Sequence, residues 1–223
     1  MCGRFSLRTP VQLLSEHFQL SVVPTWGQRY NIAPSQPVAT VMVTPEHTGR
    51  QFRLLRWGLI PSWAKDPDIG ARMINARAET APTKPAFRAA FRQRRCLVLA
   101  DGLYEWQRQG RGKQPFYIRM RDERPFAFAG LWEHWEGRDG SSIDSCTLLT
   151  TEPNEIIRAL HHRMPVILEP KDYDVWLDPG TQKADLLHPL LGPYPSEEMT
   201  AYPVSPRVNN PAHDGPGCIE RLP

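Results

Sequence analysis

Cys2 is the residue whose position most directly suggests chemistry. A small residue after Met1 lets methionine aminopeptidase remove the initiator, which makes cysteine the N-terminus and creates a 1,2-aminothiol. Its α-amine has an ordinary pKa of about 7.7–8.0 and its thiol about 8.5, so both nucleophiles are partly available near neutrality. Toward an aldehyde such a pair reacts in a special way. The amine forms an imine, the thiolate adds to the same carbon, and a five-membered thiazolidine closes intramolecularly. The alternative is a thiol that is buried and inert.

Three further residues could handle protons or orient the reactants. Glu105 sits between Tyr104 and Trp106 at the end of an apolar run, surroundings that disfavour its charge and would raise its pKa toward the range of proton transfer. An outward-facing strand glutamate fits the same alternation. His161 follows a helix-like segment over 153–160 and could donate a proton, or could be a helix-end histidine favoured by the macrodipole. Asn75 can orient an amine or a carbonyl, or cap a turn.

The elements that must position these residues read as strands in runs with helices between them. Strands are expected at 38–43, 52–57, 96–100, 103–108, 115–119, 126–131, 146–151 and 165–168, several joined by glycine turns such as Gly110-Arg111-Gly112. Thr9-Pro10 opens a short helix carrying Val11, Leu13, Leu14 and Phe18. Further helical patterns lie near 85–94, 153–161, 171–177 and 182–191, and 24–37 reads as loop. This order predicts an α+β fold with a mostly antiparallel, curved or barrel-like sheet and surrounding helices, in one domain spanning 1–223. The 23 prolines are spread throughout, and the tail from about 205 to 223 is expected to be loosely held.

Composition narrows the partners. Net charge is +3, but residues 1–120 carry 18 Lys+Arg against 7 Asp+Glu and residues 121–223 carry 9 against 17. Of the 27 basic residues 22 are arginine, whose planar fork grips phosphate and stacks on bases. Between Arg53 and Arg95 cations and rings interleave, as a single-strand nucleic-acid surface requires. A solvated, arginine-rich surface is the alternative. No helix-turn-helix, zinc finger or basic zipper is recognisable. The four cysteines show no zinc spacing and suit a reducing compartment. No stretch approaches the ~18 apolar residues of a membrane span, and no secretory signal is evident.

Seven short motifs, in order, carry a resemblance. They are Met1-Cys2-Gly3-Arg4-Phe5, Tyr30-Asn31-Ile32-Ala33-Pro34, Arg56-Trp57-Gly58-Leu59-Ile60-Pro61-Ser62-Trp63, Ile74-Asn75-Ala76-Arg77-Ala78-Glu79-Thr80, the run from Cys96 to Trp106, Leu160-His161-His162-Arg163-Met164-Pro165 and Pro203-Val204-Ser205. Together they resemble the SOS response-associated peptidase (SRAP) family, whose members process abasic sites in single-stranded DNA. The resemblance spans residue 1 to about 209.

It implies that Cys2 is the covalent nucleophile, with Asn75, Glu105 and His161 completing the catalytic set. It also implies that Arg4, Arg77 and Arg163 hold the DNA backbone, that Trp63 packs on the nucleic acid, and that the Thr150 hydroxyl contacts a phosphate. The expected function is a sensor and processor of abasic sites that forms a thiazolidine DNA–protein cross-link. The expected partner is single-stranded DNA containing abasic sites, with no membrane, no metal, no cofactor and no obligate protein partner. A cytoplasmic monomer, on the nucleoid when bound to DNA, follows. A self-processing or general peptidase that uses Cys2 as an N-terminal nucleophile, with His161 and Glu105 as its proton relay, and a non-enzymatic single-strand binder are the competing functions. His162 departs from the family pattern, but the spacing to Arg163 and Pro165 favours His161.

Overall fold

Short apolar and alternating runs form thirteen strands in the computed structural model, which describes residues 2–22, 25–44, 47–110 and 112–223, with only the backbone of His47 and Thr48. In chain order these are β1 (Phe5–Leu7), α1 (Val11–Phe18), β2 (Arg29–Ile32), β3 (Pro37–Thr44), β4 (His47–Trp57), β5 (Asn75–Arg77) and α2 (Arg88–Gln93). There follow β6 (Arg95–Ala100), β7 (Gly102–Gln109), β8 (Gly112–Met120), β9 (Phe126–Glu136), β10 (Ser142–Thr151) and α3 (Glu155–Arg158). The chain ends with β11 (Met164–Pro165), β12 (Ile167–Leu168), α4 (Tyr173–Leu177), α5 (Ala184–Leu187) and β13 (Met199–Pro203).

Five strands close a mixed barrel. β4, β3, β6 and β9 pair antiparallel in that order, β9 pairs antiparallel with β10, and β10 returns parallel to β4. β10 uses one edge twice. Ser145 and Cys146 face Arg56 and Trp57 of β4, while Leu148, Leu149 and Thr150 face Asn75, Ala76 and Arg77 of β5. All six residues of β6 are buried because α4 covers the strand from outside, with the Trp176 indole donating to the Cys96 carbonyl at 3.0 Å.

The second sheet runs β13-β8-β7-β1-β2 and docks on the barrel through Phe5. Its ring lies 5.0 Å from Trp57 and 5.6 Å from Phe128, both barrel residues. Just beyond β1 the chain is fastened by Asp101, only 1% exposed. The Asp101 carboxylate accepts from the Ser6 hydroxyl at 2.7 Å, the Arg8 and Thr9 amides at 2.6 and 2.8 Å, and the Thr9 hydroxyl at 2.9 Å.

The α+β class and the barrel-like, mostly antiparallel sheet are as the sequence leads one to expect. The differences are local. β1, β2, β5 and β13 are strands that no alternation announces, since three to five residues are held by their partners rather than by a pattern. β2 falls inside the segment read as loop. The 182–191 helix stops at α5, because Pro189 brings no amide to continue it and the chain tightens to a 3₁₀ turn over His188–Leu191. Arg111, at the centre of the expected glycine turn, and Pro24, where the expected loop begins, lie outside the described residues.

The tail is not loosely held. Asp214 accepts from the Tyr30 and Asn31 amides at 2.6 and 2.8 Å, and the Asn31 amide group donates to the carbonyls of Val208, Asn210 and His213. Val208 and Cys218 are buried against Tyr104 and Tyr117. No helix among the described residues is long and apolar enough to cross a membrane.

Asp101→Ala would remove the acceptor of the Arg8 and Thr9 amides and of the Ser6 and Thr9 hydroxyls. A loss of about 3 kcal/mol in urea unfolding is expected. A loss below about 1 kcal/mol would show that β1 is held by Phe5 alone.

Candidate active site

Pairing of β1 with β7 decides where the second residue goes. Phe5 faces Leu103, and the Tyr104 amide donates to the Arg4 carbonyl at 3.0 Å, so the strand leads Cys2 back alongside Glu105. Cys2 is fully buried, with its thiol 3.7 Å from the Arg4 carbonyl. Asn75, the first residue of β5, donates from Nδ2 to the Cys2 carbonyl at 2.8 Å. Its Oδ1 is buried with no hydrogen-bond partner among the described residues, so it is an acceptor awaiting a donor. Cys2, Asn75 and Glu105, far apart in sequence, thus meet where β1, β5 and β7 converge.

Burial sets the electrostatics of this corner. Glu105 is 4% exposed, and loss of hydration pushes its carboxyl up to about 7. The Cys2 thiol is pushed up to about 12, first by burial and then by the neighbouring Glu105 charge. The expectation of a thiol partly ionised near neutrality is therefore corrected. In this setting a thiolate requires a base, and Glu105 is the adjacent group that titrates near pH 7.

His161 lies just past α3, whose N-cap Asn154 accepts from the Ile157 amide at 3.0 Å. His161 Nδ1 lies 3.0 Å from the Arg163 amide and 3.1 Å from the Arg163 carbonyl, so the backbone of that residue holds the ring by this nitrogen. Burial, with the positive chain terminus next in weight, lowers the His161 pKa, so the neutral ring prevails at pH 7. His162 stacks on it at 4.3 Å but stays exposed.

The residues expected to hold nucleic acid divide into two groups. Arg77 is exposed at the end of β5, and Trp63 is 60% exposed beside Lys65 and Arg72. Arg163 instead grips Glu79 with both Nη atoms, at 2.7 and 2.9 Å, and donates to the Thr150 carbonyl at 2.6 Å. Arg4 donates to Asn31 Oδ1 and the Val208 carbonyl, both at 2.7 Å, with Trp106 under its guanidinium.

Thr150 departs from expectation. It is fully buried in β10 and its hydroxyl points to the Ala76 carbonyl at 3.4 Å, because the strand is paired on both edges here. Its outward contribution is the carbonyl that receives Arg163. Of the interleaved stretch, Trp57, Phe91 and Arg95 are buried, with Arg95 donating to the Trp176, Phe91 and Arg92 carbonyls.

Two positioning residues escaped sequence reasoning. Glu79 orients the segment carrying His161 through Arg163, and Asn31 ties Arg4 to the tail. Both lie inside quoted motifs, which were the available signal. No group of three or more His, Cys, Asp or Glu among the described residues could hold a metal.

A mixed barrel with a flanking antiparallel sheet thus buries a second-position cysteine against a carboxyl and an amide. Comparison makes it particular. The family model described as SOS response associated peptidase (SRAP) matches residues 1–211, and the chain belongs to that family. It is 43% identical over 226 residues to the abasic site processing protein YoqW of Bacillus subtilis (strain 168), covering 99% of each chain. To the abasic site processing protein HMCES of Xenopus tropicalis it is 33% identical over 227 residues, covering 86% of this chain and 66% of the relative. A crystal structure of a protein from Bacteroides thetaiotaomicron superposes with a TM-score of 0.86 at 26% identity, covering 99% of this chain and all of that one.

A carboxyl whose folded pKa is raised favours the fold when protonated. That contribution is complete below its unfolded value near 4.5 and is lost as pH rises through about 7. Glu105→Gln removes this loss. Its stability relative to the native chain should therefore rise by a few kcal/mol between pH 4.5 and 8 in urea titrations. A difference independent of pH would place the Glu105 pKa at its ordinary value.

Proposed function

We propose that this protein captures abasic sites in single-stranded DNA as a thiazolidine on Cys2, exposed by removal of Met1. The observation that carries the proposal is the buried corner in which Cys2, a carboxyl titrating near 7 and the unpartnered Asn75 Oδ1 converge. The names of the relatives YoqW and HMCES support the abasic site as its target.

The closed abasic sugar must first open. His161 takes the proton of the anomeric hydroxyl and delivers it to the ring oxygen as the bond from C1′ to that oxygen breaks, which frees the C1′ aldehyde. Glu105 takes a proton from the Cys2 ammonium, and the amine nitrogen bonds to C1′. Asn75 Oδ1 accepts the remaining amine N–H and holds the lone pair toward the carbon. Glu105 then returns its proton to the departing hydroxyl, and one water leaves as the imine forms. Finally the Cys2 sulfur bonds to C1′, its proton passing through Glu105 to the nitrogen. These steps use only side chains of this chain and water. Arg77 and Trp63 offer an exposed fork and an exposed ring to the strand, as stacking and phosphate contact require.

Intact mass after incubation with an abasic oligonucleotide tests the proposal. Native protein should lack Met1 and gain the strand less one water, while Cys2→Ala should gain nothing yet bind the strand within a few-fold. An adduct of equal yield and heat stability on Cys2→Ala would overturn it. His161→Ala should slow reaction with the closed sugar at least tenfold and affect a small open-chain aldehyde little. Equal loss on both electrophiles, in single-turnover assays, would make His161 a structural residue.

A further inference from the structure

The tail grips the side chains of two residues that adjoin the reacting pair. Trp106 follows Glu105 directly, and its indole donates to Asn209 Oδ1 at 2.7 Å. Arg4 is separated from Cys2 by Gly3 alone, and its Nη1 has two hydrogens. One goes to the Val208 carbonyl and the other to Asn31 Oδ1, both at 2.7 Å. The Arg4 guanidinium lies over the Trp106 ring, 6.0 Å from its centroid, so the two grips form one unit.

Asn31 ties that unit to the second sheet. It is fully buried in β2, and its Nδ2 donates to the carbonyls of Val208 and Asn210, each at 3.1 Å, and of His213 at 2.6 Å. Its backbone amide is held by Asp214 at 2.8 Å. An asparagine suits the place, because it presents an acceptor to the guanidinium and donors to the carbonyls at once.

Beside each grip is a group the chemistry uses. The Trp106 amide donates to the Glu105 carboxyl, and the Arg4 carbonyl accepts from the Tyr104 amide at 3.0 Å and lies 3.7 Å from the Cys2 thiol. Gly3 has the most permissive backbone of any residue, so the fixed points next to Cys2 are Arg4 on one side and Asn75 on the other. Alignment matters at this corner, since a misplacement of about 1 Å can slow a reaction by about 100-fold.

We propose that the tail is a working part of the site: Asn209 is a positioning residue that aligns Glu105 with Cys2 through Trp106, and Asn31, through Arg4, steadies the Cys2 side of the same pair. The proposal rests on thiazolidine formation at Cys2. It adds that the tail sets the rate of that reaction independently of how tightly the strand is held.

Asn209 is exposed, so its variants carry the test. Single-turnover adduct formation is followed by intact mass with an abasic strand and with a small open-chain aldehyde. Affinity is measured separately, on a strand carrying a stable, non-reactive abasic analogue. Asn209→Ala should slow both reactions by the same factor, about fivefold, with strand affinity within about twofold of native. Asn209→Asp keeps an acceptor oxygen for the indole and should restore the native rate. Asn31→Ala, if urea unfolding shows it folded, should slow both reactions about tenfold.

A native rate in Asn209→Ala would overturn the proposal, as would a native rate in a folded Asn31→Ala. A loss confined to the abasic strand, or matched by weaker binding, would also overturn it by placing Asn209 on the DNA. Asn209→Asp as slow as Asn209→Ala would reduce the effect to packing. Native protein that reacts with the aldehyde but not with the abasic strand would defeat the abasic-site reading, and the aldehyde rates would then decide the role of the tail. Native protein that reacts with neither would defeat both.

Discussion

Burial of the first residues against the barrel is the constraint on which the rest depends. Phe5 wedged between Trp57 and Phe128, and Asp101 closing on Ser6, Arg8 and Thr9, leave β1 a single register. Once that register is set, Cys2 has one place to go. It lies beside Glu105, with its carbonyl on Asn75. A cysteine next to a chain terminus would ordinarily sample many positions. Here the entropy of ordering it is offset by aromatic and hydrogen-bond contacts made several residues away. The thiol is held in place by strands.

The same burial keeps the Cys2 thiol protonated. A thiol pushed up to about 12 holds its proton at neutral pH and is poorly reactive toward oxidants and adventitious electrophiles. The cause that silences it, removal from water, also brings the adjacent carboxyl up to about 7, where it exchanges protons most readily. One environment thus separates the roles of the two groups. The proposed chemistry depends on the pairing, since a protonated thiol needs the neighbouring carboxyl as its base.

How much could be read from the chain beforehand varied with the kind of information. Long, continuously apolar runs such as those of β3, β9 and β10 carried the barrel, because strands covered on both faces are buried at successive residues over most of their length. The short strands β1 and β5 were invisible because partners hold them, yet these bring Cys2 and Asn75 together. Motif order pointed to Cys2, Asn75 and Glu105, which pattern could not, and the fold brings these three together. Charge counting identified the basic half but not the use of each arginine. Arg95 is a buried strut and Arg163 a clamp on Glu79, whereas Arg77, Arg108 and Lys113 face water. A guanidinium that braces carbonyls and one that awaits phosphate look alike in sequence, and only their neighbours tell them apart.

The central claim is that burial beside Cys2 tunes one carboxyl to neutrality. Carbon-13 NMR titration of the Glu105 side-chain carboxyl, assigned by comparison with Glu105→Gln, measures this directly. The account predicts a midpoint near 7, well above the ordinary 4.5. A midpoint near 4.5 would contradict it and would leave the Cys2 amine and thiol without a base tuned to the pH at which they must react.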